Sequence, residues 1–136
     1  FIGDIGAYLC GWLTGLICFS FFAKHEELTA WSIALISFYP LMEVSFSVIR
    51  KVYQGKSPFI PDSNHLHLKL FFFLKLTLNN RLNKSNNLIM PLMTFFWLAP
   101  PVTAVLTINN MLLTILALIF FMGMYCIAYR FIPERL

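Results

Sequence analysis

Two histidines two positions apart, His65 and His67, sit in the segment Lys56-Ser57-Pro58-Phe59-Ile60-Pro61-Asp62-Ser63-Asn64-His65-Leu66-His67-Leu68. That segment gathers two prolines, one carboxylate, two imidazoles and a lysine between long apolar runs. In an extended or irregular loop, residues at i and i+2 project in similar directions, so both imidazoles could reach one phosphate or one metal ion. Pro58 and Pro61 stiffen the approach, because each fixes its own φ and restricts the residue before it. The expectation is a shaped loop that presents polar chemistry at a membrane face.

The rest of the chain says what holds that loop. Of 136 residues, 59% are hydrophobic and only 12% charged, against about a quarter charged in soluble proteins, and the mean hydropathy is +0.74. This is the composition of a membrane protein. The formal charge of +4 does not indicate nucleic-acid binding, since the basic residues interrupt apolar runs instead of forming a polar surface. Cys10, Cys18 and Cys126 also fall inside apolar runs, where cysteine behaves as a small buried hydrophobe and not as a disulfide or metal framework. The chain opens Phe1-Ile2-Gly3-Asp4 without a signal-peptide pattern, and it reads as the C-terminal portion of a larger protein.

The expected architecture is all-α: a polytopic membrane fragment with four transmembrane helices, at about 5–23, 30–49, 88–108 and 111–131, and one long cytoplasmic loop at about 50–87. A span needs about 20 apolar residues at 1.5 Å each. Gly11 and Gly15 give the first span a small-residue edge for helix packing. Thr29 is placed to cap the second, which Pro40 and Glu43 interrupt. An ionisable residue inside a span marks a polar cavity or a partner, and Glu43, Ser47 and Arg50 share one helix face leading toward the loop. Residues 68–78 are too short and too charged to cross, so they are expected along the interface with their lysines snorkelling, although the alternation near Leu66, Leu68 and Leu70 also fits a strand. The stretch 79–87 reads as polar turn. Pro91, Pro100 and Pro101 are expected to kink or break the third span, and Asn109-Asn110 to turn tightly into a plain apolar fourth. Seven basic residues (Arg50, Lys51, Lys56, Lys69, Lys75, Arg81, Lys84) lie in the long loop, which the positive-inside rule puts in the cytoplasm. Four spans would bring Asp4 to the same face as the histidines.

Phe1-Ile2-Gly3-Asp4-Ile5-Gly6, then a span, then Tyr39-Pro40 with Glu43, Arg50-Lys51, Gly55-Lys56-Ser57-Pro58-Phe59 and Pro61-Asp62-Ser63-Asn64-His65-Leu66-His67 resembles the C-terminal half of the polyprenyl-phosphate N-acetylhexosamine-1-phosphate transferases. The resembling motifs cover about residues 1–70. Leu68 stands where many members carry a third histidine, and Ala7 where others have serine. The family's aspartate-rich motif belongs to earlier helices.

The resemblance implies an enzyme of the inner, cytoplasmic membrane that transfers a sugar-1-phosphate from a UDP-N-acetylhexosamine to polyprenyl phosphate, such as undecaprenyl phosphate. The reaction releases UMP and starts a cell-envelope polysaccharide. Two polyanions must meet, which calls for a divalent cation and positive side chains. Magnesium, or manganese in its place, prefers oxygen ligands. The resemblance makes Asp4 the metal ligand and a catalytic residue, with His65 and His67 contacting the sugar-nucleotide diphosphate. Protonated, they could donate two charge-assisted hydrogen bonds. Arg50, Lys56, Asp62 and Asn64 become substrate-binding residues. The missing N-terminal half of the same protein is then a required partner, and this portion alone is expected to be inactive.

Two other readings of the same residues compete. In one, the chain is a non-catalytic membrane scaffold whose basic loop binds anionic lipid, the role simple electrostatics also gives Lys51 and Lys56. In the other it is a transporter component with Glu43 as the coupling residue.

Overall fold

The computed structural model describes residues 3–25, 28–60, 64–77 and 82–132, with the side chains of 3–5, 7 and 82–86 outside that description. Six helices make up the described chain: α1 (Gly3–Lys24), α2 (Ala30–Ile36), α3 (Phe38–Tyr53), α4 (Leu66–Thr77), α5 (Leu82–Leu106) and α6 (Met111–Phe131). No strand occurs among the described residues, so the alternation around Leu66 resolves as the first turn of α4.

Two helical stretches are long and apolar enough to cross a membrane, Asn87–Leu106 in α5 and Met111–Phe131. The pair α2 and α3 makes a third if taken as one broken span, bent by 87°. Tyr8–Lys24 of α1 is apolar but shorter. Large apolar side chains such as Trp12, Leu98, Leu112 and Ile119 remain exposed along these helices, as lipid-facing positions would be.

The second apolar segment departs from the single helix expected at 30–49. Thr29 caps α2 as anticipated, its side chain accepting from the Ser32 amide at 3.3 Å. The helix then stops at Ser37, and α3 starts in a new direction. Pro40 explains the position of the break. In a continuous helix its ring would meet the carbonyl of Ile36 and its nitrogen could not donate to it. In the first turn of α3 the missing N–H is one that has no partner anyway. The proline thus begins a helix and does not interrupt one.

Local chemistry also accounts for the other joints. Gly55 takes φ +65, the left-handed geometry that glycine adopts without a Cβ penalty. The Lys56 amide reaches back to the Lys51 carbonyl at 2.9 Å, which closes α3 in a glycine-terminated cap. Between α5 and α6, Asn110 caps α6 through the Leu113 amide at 3.1 Å. Thr114, buried beneath that turn, bonds the Thr107 carbonyl at 3.0 Å and the Asn110 carbonyl at 3.1 Å. The expected tight turn is there. Of the kink or break expected at the prolines, a break is absent: α5 runs through Pro91, Pro100 and Pro101 as one helix, and it begins at Leu82, inside the stretch read as polar turn.

The packed centre consists of Leu35, Phe38, Leu66, Met93, Phe96, Ala104, Phe121, Tyr125 and Tyr129, drawn from α2 to α6. α5 is the axis, packed against α2, α3, α4 and α6. α4 therefore docks on the helical body. Its Lys69 is buried, in contrast to the snorkelling expected of it. Ile17, Cys18 and Phe21 of α1, with His25 just beyond it, line a cavity of about 330 Å³ with Leu28, Ile33, Ile36, Val105 and Ile108. A Cβ added at Gly11 or Gly15 would meet nothing within 4 Å, so the small-residue edge has no partner among the described residues.

Candidate functional site

The site is built on one face of α3. Positions 39, 43, 47 and 51 recur every four residues, and Glu43, Ser47 and Lys51 are buried. Each of the larger polar groups on or beside that face holds a different part of the histidine loop. Lys51 sends its ammonium to the Pro58 carbonyl at 3.0 Å and also to the Ile60 carbonyl. The lysine is thus an internal brace for the proline segment, which corrects its reading as a lipid-attracting surface charge. Arg50 donates to the Asn64 carbonyl at 3.1 Å and to the Tyr129 hydroxyl, and that hydroxyl donates to the same Asn64 carbonyl at 3.0 Å.

Glu43 takes the next residues. Its Oε1 accepts from the Leu66 amide at 3.0 Å and from the Tyr39 hydroxyl at 2.7 Å, while its Oε2 stands 2.8 Å from His65 Nδ1. Leu66 opens α4, so the carboxylate lies at a helix N-terminus, where unpaired amides and the helix dipole favour negative charge. The Tyr39 hydroxyl also lies 3.2 Å from His67 Nδ1. Both imidazoles are thereby tied to one carboxylate, directly for His65 and through a phenol for His67. Their rings lie parallel within 5°, centroids 5.7 Å apart. Burial pushes the His67 imidazole below its ordinary range, against the opposing charge of Glu43.

No protein-family model, no curated protein and no solved structure matches the chain.

Of the residues singled out in sequence, the fold brings His65, His67, Asn64 and Arg50 together around Glu43 and Tyr39. Lys56 is exposed, its backbone serving the α3 cap. Asp62 lies outside the described residues. Asp4 is in the first turn of α1, and its side chain is likewise outside the description.

Sequence reasoning missed Tyr129 and the inward course of Lys69. The Lys69 ammonium sits 3.8 Å from the Tyr129 ring centroid and donates to the Tyr129 carbonyl at 3.0 Å. A signal was present: Thr114, Phe121, Tyr125 and Tyr129 are all buried along α6, and the last three repeat every four residues, which gives that helix a face with polar-tipped aromatics. Beside it opens a cleft of about 570 Å³ whose polar lining includes Arg50, Lys69, Tyr129 and Arg130, with Phe46, Ile49 and Ile132 as apolar walls. Such a cleft suits an anionic group attached to an apolar chain.

Magnesium would need oxygen ligands. Glu43 is the one carboxylate side chain among the described residues, and both its oxygens are already engaged. Among the described residues there is also no group of three His, Cys, Asp or Glu side chains that could hold a metal. These residues do not by themselves fit a magnesium site.

Proposed function

We propose that the chain is part of a multi-pass transferase of the cytoplasmic membrane that moves a sugar-1-phosphate from a UDP-sugar, of the N-acetylhexosamine type, to polyprenyl phosphate. In this reading a phosphate oxygen of the lipid attacks the β-phosphorus of the UDP-sugar. The bond from that phosphorus to the bridging oxygen breaks, and UMP leaves with the bond pair. α1 is then a fourth span, the loop after α3 is cytoplasmic, and Asp4, as the motif resemblance implies, is a magnesium ligand supplied from outside the histidine cluster.

The observation that carries the reading is the pair of parallel imidazoles at 5.7 Å, held by a buried carboxylate beside a cationic cleft. A structural loop has no need for two half-buried histidines whose orientation is fixed from beneath; a site that grips an oxygen-rich ligand does. Arg50 and Lys69 lower the potential felt by a phosphate entering the cleft, and its apolar walls suit a prenyl chain. The cavity at the other end of the bundle, between His25 and Ile108, is consistent with the α1 C-terminus lying away from the histidines.

The test is UMP release from membranes bearing the full-length protein, with polyprenyl phosphate and a panel of UDP-sugars. UMP formed only with both substrates present supports the reading; none with any sugar nucleotide removes it. The scaffold reading draws on the same cleft, because Arg50, Lys69 and Arg130 would also attract anionic headgroups. It requires that His65→Ala and His67→Ala leave function unchanged.

A further inference from the structure

The hydrogens around Glu43 can be counted. A carboxylate only accepts, so His65 Nδ1, 2.8 Å away, must carry a hydrogen. The Tyr39 hydroxyl has a single hydrogen, and it is directed to Glu43 Oε1 at 2.7 Å. Its oxygen can therefore meet His67 Nδ1, at 3.2 Å, only as an acceptor, and that nitrogen must carry a hydrogen as well. Among the described residues no protein group is bonded to Nε2 of either ring.

We propose that Glu43 is a positioning residue which, with Tyr39 as its relay, holds His67 in the Nδ1–H form, so that Nε2 of His67 accepts a hydrogen from the bound ligand instead of donating one. The inference rests on the transferase reading for the identity of that ligand, in which the hydrogen is a hydroxyl or acetamido hydrogen of the sugar nucleotide. It replaces the expectation of two charged donors at the motif with two unlike imidazoles. His65 is bonded to the negative carboxylate directly. His67 is bonded to a neutral phenol, and its partial burial penalises charge more than the Glu43 charge beyond that phenol favours it. The arrangement follows a general pattern in which the partner of one ring nitrogen decides what the other can do. One donor beside one acceptor recognises a ligand that has both a phosphate oxygen and a hydroxyl or amide hydrogen nearby.

The experiment is nitrogen NMR on the intact membrane protein in lipid nanodiscs, labelled with 15N at histidine and studied well above the usual imidazole range. Assignments come from single-histidine variants. The expected result is His67 predominantly protonated at Nδ1. In Tyr39→Phe, which keeps the ring packing, His67 should return to the mixture that free histidine shows while His65 keeps its Nδ1–H. Glu43→Gln should change both rings. A His67 already protonated at Nε2 in the unaltered protein overturns the proposal, as does a Tyr39→Phe variant in which His67 does not change. UDP-N-acetylglucosamine added to the unaltered protein should move the His67 Nε2 resonance more than UMP does; equal effects overturn the acceptor role. UMP release is read separately, so a protein without transferase activity but with the Nδ1–H signature would remove the enzymatic reading and leave the positioning of His67 standing.

Discussion

Glu43 precedes His65 by 22 residues, yet its Oε2 lies 2.8 Å from the imidazole Nδ1, while its other oxygen holds the first amide of α4. One buried side chain therefore fixes where the second half of the histidine motif begins and how its first ring is turned. In a membrane, where exposed leucines gain nothing by packing on each other, bonds of this kind are a main source of helix–helix specificity, at about 0.6–2 kcal/mol apiece.

Glu43→Ala should leave the Tyr39 hydroxyl, the His65 Nδ1–H and the Leu66 amide without their acceptor. An unsatisfied buried group costs about 1–3 kcal/mol, and because the three share one partner their losses do not add. A net destabilisation of about 3 kcal/mol is expected. Thermal or denaturant unfolding in detergent would read it. A loss below about 0.5 kcal/mol, the level of ordinary surface substitutions, would mean that the network contributes little.

Asp4→Asn in the full-length protein should lower UMP release by orders of magnitude with membrane insertion intact, because the amide loses the charge that a hard cation requires. His65→Ala should weaken use of the UDP-sugar. Near-normal turnover by the first variant would remove Asp4 from the metal site. Unchanged kinetics in the second would return the loop to a structural role.

His67 gives a pH signature with a definite sign. Its folded-state pKa lies below its ordinary value, chiefly through burial, so the unfolded chain binds the proton more readily than the folded one. The stability it contributes is full above the unfolded value of about 6.5 and is lost as the pH falls through the lower folded value. Relative to His67→Gln, the unaltered protein should lose stability as the pH falls through that window, with the difference between the two constant above it and below it. Parallel curves throughout would contradict this.

Gly55→Ala should cost about 1–2 kcal/mol, because φ +65 is strained for a residue with a Cβ even though open space surrounds the site. Lys51→Met keeps most of the bulk but removes the ammonium from the Pro58 and Ile60 carbonyls. Hydrogen exchange in residues 57–60 should accelerate roughly tenfold, the factor that corresponds to about 1.4 kcal/mol of lost local stability. An unchanged exchange rate would show that the prolines alone shape the loop.

Much of the scaffold was legible residue by residue. Apolar length marked α5 and α6, Thr29 announced its cap, Asn109-Asn110 the turn into α6, and the spacing of Glu43 and Ser47 put them on one face of α3, because each of these signals acts within a turn or two of chain. Pro40 was visible too, but whether it kinks a span or starts a new helix depends on the 87° turn that α3 makes to pack against α5 and α6.

Local sequence determined that the chain is helical and apolar, with stretches long and apolar enough to cross a membrane. Only the tertiary structure decided that Lys69 turns inward onto Tyr129, that Lys51 braces the loop, and that one carboxylate serves both imidazoles. The reason is physical: a lysine's sequence neighbours cannot tell whether its ammonium will snorkel to water or find an aromatic face and a carbonyl. The partner that settles the choice lies 60 residues further along the chain, brought close by helix packing alone.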